Sequence, residues 1–96
     1  MKDKQGDPLS PVEHEYLSIL IEEMGEALHI AGKVLRHGWN PRYKGIWYYN
    51  QQDLQKELGD VLAAIIRLCE AKILSEQVIH KRAAEKLKPG GTLLFK

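Results

Sequence analysis

Ile21-Glu22-Glu23-Met24-Gly25-Glu26 and, further along, Lys56-Glu57-Leu58-Gly59-Asp60 gather five carboxylates into two short clusters. Both clusters lie in stretches with helical periodicity. On a helix, residues three or four apart stand on one face, so Glu22/Glu26, Glu23/Glu26 and Glu57/Asp60 are neighbours. Like charges at that spacing cost about 0.2–0.5 kcal/mol per pair unless something neutralises them. Two such sets in 96 residues point to a bound hard cation, magnesium first and manganese as its substitute.

Working outward, Ser10-Pro11-Val12-Glu13 has the form of a helix start. Ser10 is the cap, Pro11 takes the first helical position, and Glu13 follows three residues after the cap. This first helix runs to about Arg36 and stops at His37-Gly38. Its main apolar stripe is Leu17, Leu20, Ile21, Met24, Leu28, Ala31 and Leu35. The acids fall away from that stripe, but Ile19 and Ile30 share their side, with Tyr16 and Val34 at its edge. The helix thus carries two apolar surfaces, with acids set into the second.

Residues 37–50 have no helical period, and they hold Trp39, Tyr43, Trp47, Tyr48 and Tyr49. They read as an aromatic loop, longer than most connections in compact domains. Asn50 is placed to cap a second helix over roughly Gln51–Lys72. A third helix starts at Ser75 and ends before Pro89-Gly90-Gly91. No strand pattern of any length is evident. The expected fold is all-α, a bundle of three main helices per chain. Residues 1–9 form a loose arm, 10–88 a helical domain, and 89–96 an apolar tail.

Fourteen basic and thirteen acidic residues leave a net charge of +1, which excludes a broad basic surface for a nucleic-acid polymer. Cys69 stands alone and cannot form an internal disulfide, which favours a reducing compartment. The polar start and short apolar runs speak against a membrane span, so a soluble, cytoplasmic protein is expected. A helical chain this short often completes its core with a second copy.

The apolar arc of the second helix takes in Leu54, Leu58, Val61, Leu62, Ile65, Leu68 and Cys69. Glu57 lies on its flank beside Ala64 and Leu68. A carboxylate at such a seam is costly to bury unpaired. Metal ligation resolves the cost; so would a salt bridge to Lys33 or Arg67 in a non-catalytic helical module. Glu26-Ala27-Leu28-His29 also has the E-x-x-H form of a di-iron bundle, but Asp60 stands where the second such motif needs histidine.

The pattern E-E-x-x-E (Glu22–Glu26) followed by E-x-x-D (Glu57–Asp60) resembles the MazG-like all-α nucleoside triphosphate pyrophosphohydrolases. The flanking stretches, A-x-K-x-L-R-H-G and D-L-Q-K-E-L-G-D-V-L-A-A-I, are similar too. The resemblance covers roughly residues 13 to 88, with a gap between the motifs at the long end for the family. It implies hydrolysis of a nucleoside triphosphate to monophosphate and pyrophosphate, in a four-helix-type site completed by oligomerisation. It makes Glu23, Glu26, Glu57 and Asp60 direct magnesium ligands, and Glu22 a ligand of a further magnesium or the group that orients the attacking water.

Substrate contacts follow with less specificity. Lys33 and Arg36 lie beyond Glu26 within reach of triphosphate oxygens, with Lys81 on the third helix behind them. Trp39, Trp47 and Tyr48 have faces to stack on a base, and Asn50 has an amide to read it. The same aromatic loop would serve equally as cover for a subunit interface.

Overall fold

A computed structural model describes residues 6–89. Helix α1 spans Pro11–His37, helix α2 Asn50–Glu70 and helix α3 Glu76–Lys86. Between α1 and α2 lie two short strands, β1 (Arg42–Tyr43) and β2 (Ile46–Trp47). The all-α reading holds. The parts of the expected arm and tail at 1–5 and 90–96 lie outside the described residues.

Helix α1 starts as its sequence dictates. The Ser10 hydroxyl accepts from the Glu13 N–H at 3.1 Å, and the Glu13 carboxylate accepts from the Ser10 N–H at 2.8 Å. This reciprocal box satisfies two backbone donors that the first turn leaves free. At the far end Gly38 takes φ 85° and donates its N–H to the Val34 carbonyl.

Helices α1 and α2 form an antiparallel pair, the main tertiary packing among the described elements. The Arg67 guanidinium lies 5.8 Å from the centre of the Tyr16 ring. That pairing has the same register as Glu23 with Asp60 and Glu26 with Glu57. Among the described residues, Ala27, Ala64 and Leu68 are the buried apolar side chains, and the two alanines let the helices approach closely.

The surface of α1 that packs on α2 is the second one, with the acids. Ala27 is buried there, and Tyr16, Ile19, Ile30 and Val34 are half-buried. The main stripe faces elsewhere: Ile21, Met24, Leu28 and Leu35 are 71, 48, 72 and 89 % exposed. On α2, Leu58, Leu62 and Ile66 are likewise open to solvent. By helical phase, these two sets fall on the same side of the antiparallel pair, opposite the side on which the acids emerge.

Three local expectations need correction. The loop is not wholly irregular. Tyr43 pairs with Ile46 and Arg42 with Trp47 across a two-residue turn, Lys44-Gly45, with φ of 53° and 80°. Positive φ at both central positions is what a tight hairpin turn of type I′ requires. Lysine is an uncommon first residue there, so the sequence signal was faint, although Tyr, Ile and Trp are good strand formers.

Asn50 is not the cap of α2 but its first residue; Tyr49 occupies the cap and makes no side-chain bond. The Asn50 amide turns inward instead and donates to the Gly38 carbonyl at 3.1 Å, tying the start of α2 to the end of α1. Helix α2 also ends at Glu70, two residues early. Lys72 adopts φ 62°, and the N–H groups of Ile73 and Leu74 both turn back to the Leu68 carbonyl. Ser75 then caps α3 by accepting from the Val78 N–H. No residue of α3 is buried.

Candidate metal centre

Glu23 and Glu26 stand one turn apart on α1; Glu57 and Asp60 stand one turn apart on α2. The shared register brings all four together, with one carboxylate oxygen from each lying within 4.8 Å of the others. Three of the four are half-buried and Glu26 is exposed, so the group sits at the solvent edge of the seam.

The carboxyls feel one another. Glu26 is held above its ordinary value of 4.5, first by a hydrogen bond with Glu23, then by desolvation and by the charges of Glu23 and Glu22. Glu57 is raised as well, first by desolvation, then by the charges of Glu26 and Asp60; Lys56 pulls the other way. The ion pairs among the described residues are His80–Glu76 and Arg82–Glu85, both on α3. Neither involves the four acids, and Arg67 is engaged with Tyr16. The salt-bridge alternative for Glu57 is therefore not the arrangement observed.

Such a donor set fits a hard divalent cation. It is all oxygen and anionic, and it is open on one side to water or substrate. Magnesium takes oxygens at about 2.0–2.1 Å, which puts opposite ligands of one ion about 4.1 Å apart. The observed 4.8 Å limit lies within a small side-chain adjustment of that span. An E-x-x-H di-iron site does not form: His29 is exposed and outside the group.

Glu22 is exposed and does not join the four, although its charge reaches Glu26. Lys33 is half-buried and Arg36 exposed, further along α1 toward the hairpin. Trp39, Trp47 and Tyr48 are 52, 50 and 42 % exposed, with Trp47 beneath the Arg42 guanidinium at 5.7 Å. Lys81 is exposed on α3. Asn50, only 1 % exposed, does not face solvent, where a base would be read. The Tyr16–Arg67 pair and the Asn50 tether escaped the sequence reading because neither carries a local motif.

The chain matches the family model described as the MazG nucleotide pyrophosphohydrolase domain over residues 12–89. The chain belongs to the MazG family. The match takes in all three helices and all four clustered acids of this MazG domain. Its family is one of divalent-metal-dependent nucleotide pyrophosphohydrolases. No curated protein and no solved structure matches the chain. Among the described residues, no helix of the MazG domain is long and apolar enough to cross a membrane.

Proposed function

We propose that this MazG domain is a magnesium-dependent enzyme that hydrolyses a nucleoside triphosphate, preferably a deoxyribonucleotide, to the monophosphate and pyrophosphate. The observation that carries the reading is the convergence of Glu23, Glu26, Glu57 and Asp60 from two helices, with no cationic side chain paired to them among the described residues. The four would hold magnesium, which supplies positive charge to phosphate oxygens as charge builds at the bond being cleaved. Glu22 is the carboxylate left outside the ligand set, free to orient the attacking water or take its proton. Lys33 and Arg36, on the same helix and nearer the hairpin, are candidates to bind the triphosphate oxygens, with Lys81 in support. Trp39, Trp47 and Tyr48 offer exposed faces for a base.

The working form in this proposal is a homo-oligomer. Three buried apolar residues among the described ones are a small core, and the apolar side of the α1–α2 pair opposite the acids is open to solvent. The test is pyrophosphate release from a panel of ribo- and deoxyribonucleoside triphosphates, with magnesium and with EDTA, beside Glu57→Gln. Magnesium-dependent release that the substitution removes supports the reading. A folded protein that releases none from any of them overturns it in favour of a helical module that binds a partner without turnover.

A further inference from the structure

Helix α3 gains little cover from the described chain: none of its residues is buried. Its Ile79 and Ala83, one turn apart, line a groove of about 940 Å³ together with Ile65 and Cys69 of α2 and Ile73 of the connection. A helix with an apolar side needs something to bury it against. Charged groups also line the groove: Glu70 and Glu76, with Lys72, and His80 beside Glu76 at 3.9 Å.

We propose that the chain's own C-terminal segment, Thr92-Leu93-Leu94-Phe95-Lys96, seats in this groove as a strap that holds α3 against α2. The proposal requires neither turnover nor a second copy. Three features favour this occupant. The first is reach. Helix α3 ends at Lys86, and the Gly90-Gly91 pair that follows Pro89 permits a sharp reversal. The five residues after that pair extend about 16 Å at about 3.3 Å each. Ile79 lies only about 10 Å back along α3 from Lys86, at about 1.5 Å per residue.

The second feature is chemistry. Leu93, Leu94 and Phe95 are three large apolar side chains in succession, and taking them out of water is favourable in proportion to their area. In an extended segment Leu93 and Phe95 fall on one face, the face turned to Ile79 and Ala83. The third is charge. A segment reversed at the glycines runs antiparallel to α3 and brings Lys96 to the end nearest the α2–α3 connection. Glu70 and Glu76 stand at that end and outnumber Lys72.

Phe95 is the sole phenylalanine and Cys69 the sole cysteine, so each gives one unambiguous signal. In the native full chain, nuclear Overhauser contacts are expected from the Phe95 ring to the methyl groups of Ile79 and Ala83. Alkylation of Cys69 by iodoacetamide is expected to be slow. Phe95→Asp should speed that alkylation roughly tenfold or more, the effect of losing one buried aromatic side chain. Helix content by circular dichroism and mass by light scattering should stay as they are. Val78→Asp, on α3 but outside the groove lining, should leave the rate unchanged. Absence of the Phe95 contacts, or an alkylation rate indifferent to Phe95→Asp, overturns the strap. Contacts that form between differently labelled chains in a mixed sample, or a fall in mass with Phe95→Asp, overturn it as well, because the segment then serves a second copy. None of these readouts uses turnover, so each outcome leaves the nucleotide reading to its own test.

Discussion

Glu26 of α1 and Glu57 of α2 meet across the helix seam with carboxylate oxygens within 4.8 Å of each other, and both carboxyls are held above their ordinary value of 4.5. A raised carboxylate pKa means that the folded protein binds a proton more tightly there than the unfolded chain does. The stability from those protons is fully present below the unfolded pKa and is lost as pH rises through the folded value. In EDTA, thermal melts should therefore show this contribution fading upward from about pH 4.5, and Glu57→Gln should flatten that part of the profile. An apo protein whose profile is unchanged by the substitution would show that the two acids do not interact.

Magnesium should reverse the sign of that effect at neutral pH. A ligand at about 100 times its dissociation constant stabilises the folded state by about 2.7 kcal/mol. For a domain of this size that amounts to a rise of about 10 °C or more in Tm. Calorimetry at pH 7.5 should show the rise for the native chain and little or none for Glu57→Gln or Asp60→Asn. The same substitutions should make the magnesium-free protein more stable, because they remove like charge from the cluster.

Ser10→Ala removes the hydroxyl that accepts from the Glu13 N–H. The expected cost is about 1 kcal/mol, typical for loss of an N-cap, with little effect on the acid cluster several turns away. Chemical denaturation reads the stability. Magnesium affinity by titration calorimetry should be unchanged.

Asn50 is nearly fully buried; its Nδ2 is bonded to Gly38, while its Oδ1 has no partner among the described residues. Asn50→Asp deletes the donor and buries a charge, so it should destabilise the fold more than Asn50→Ala, which costs about 1–3 kcal/mol for the orphaned carbonyl. Equal losses in the two variants would show that the side chain is not buried in solution.

At Gly45, φ is 80° and an added Cβ meets no neighbour within 4 Å, so conformation alone penalises substitution. Gly45→Val should cost about 1–2 kcal/mol of hairpin stability. The loss should appear as local fraying of the Trp39 and Trp47 signals in NMR spectra while the helices stay intact. If the exposed aromatic faces hold a base, KM for nucleotides should rise more than kcat falls.

Much of the fold was legible because its signals are local. The Ser10-Pro11-Glu13 start, the Gly38 stop and the Ser75 cap rest on backbone groups within a turn of the residue concerned. The metal-site candidates were legible for a related reason: Glu23/Glu26 and Glu57/Asp60 each share a helix face whatever the tertiary arrangement. The hairpin was harder to see, since a Lys-Gly turn between two-residue strands gives little periodicity to detect. The role of Asn50 was not legible, because an asparagine before a helix usually caps it, and only the proximity of Gly38 turns it inward.

By itself the sequence determined three helices, where α1 and α3 begin, and the two pairs of acids that each present on one face. Only the tertiary structure decided that the pairs meet. That depends on the register of two antiparallel helices, to which the Arg67–Tyr16 contact and the close approach at Ala27 and Ala64 contribute, and register is a property of the pair that neither helix encodes alone. The same packing decided which apolar side of α1 is spent inside the chain. A helix with two apolar surfaces can bury only one against a single partner, and here the side holding the acids was used, leaving the richer stripe open.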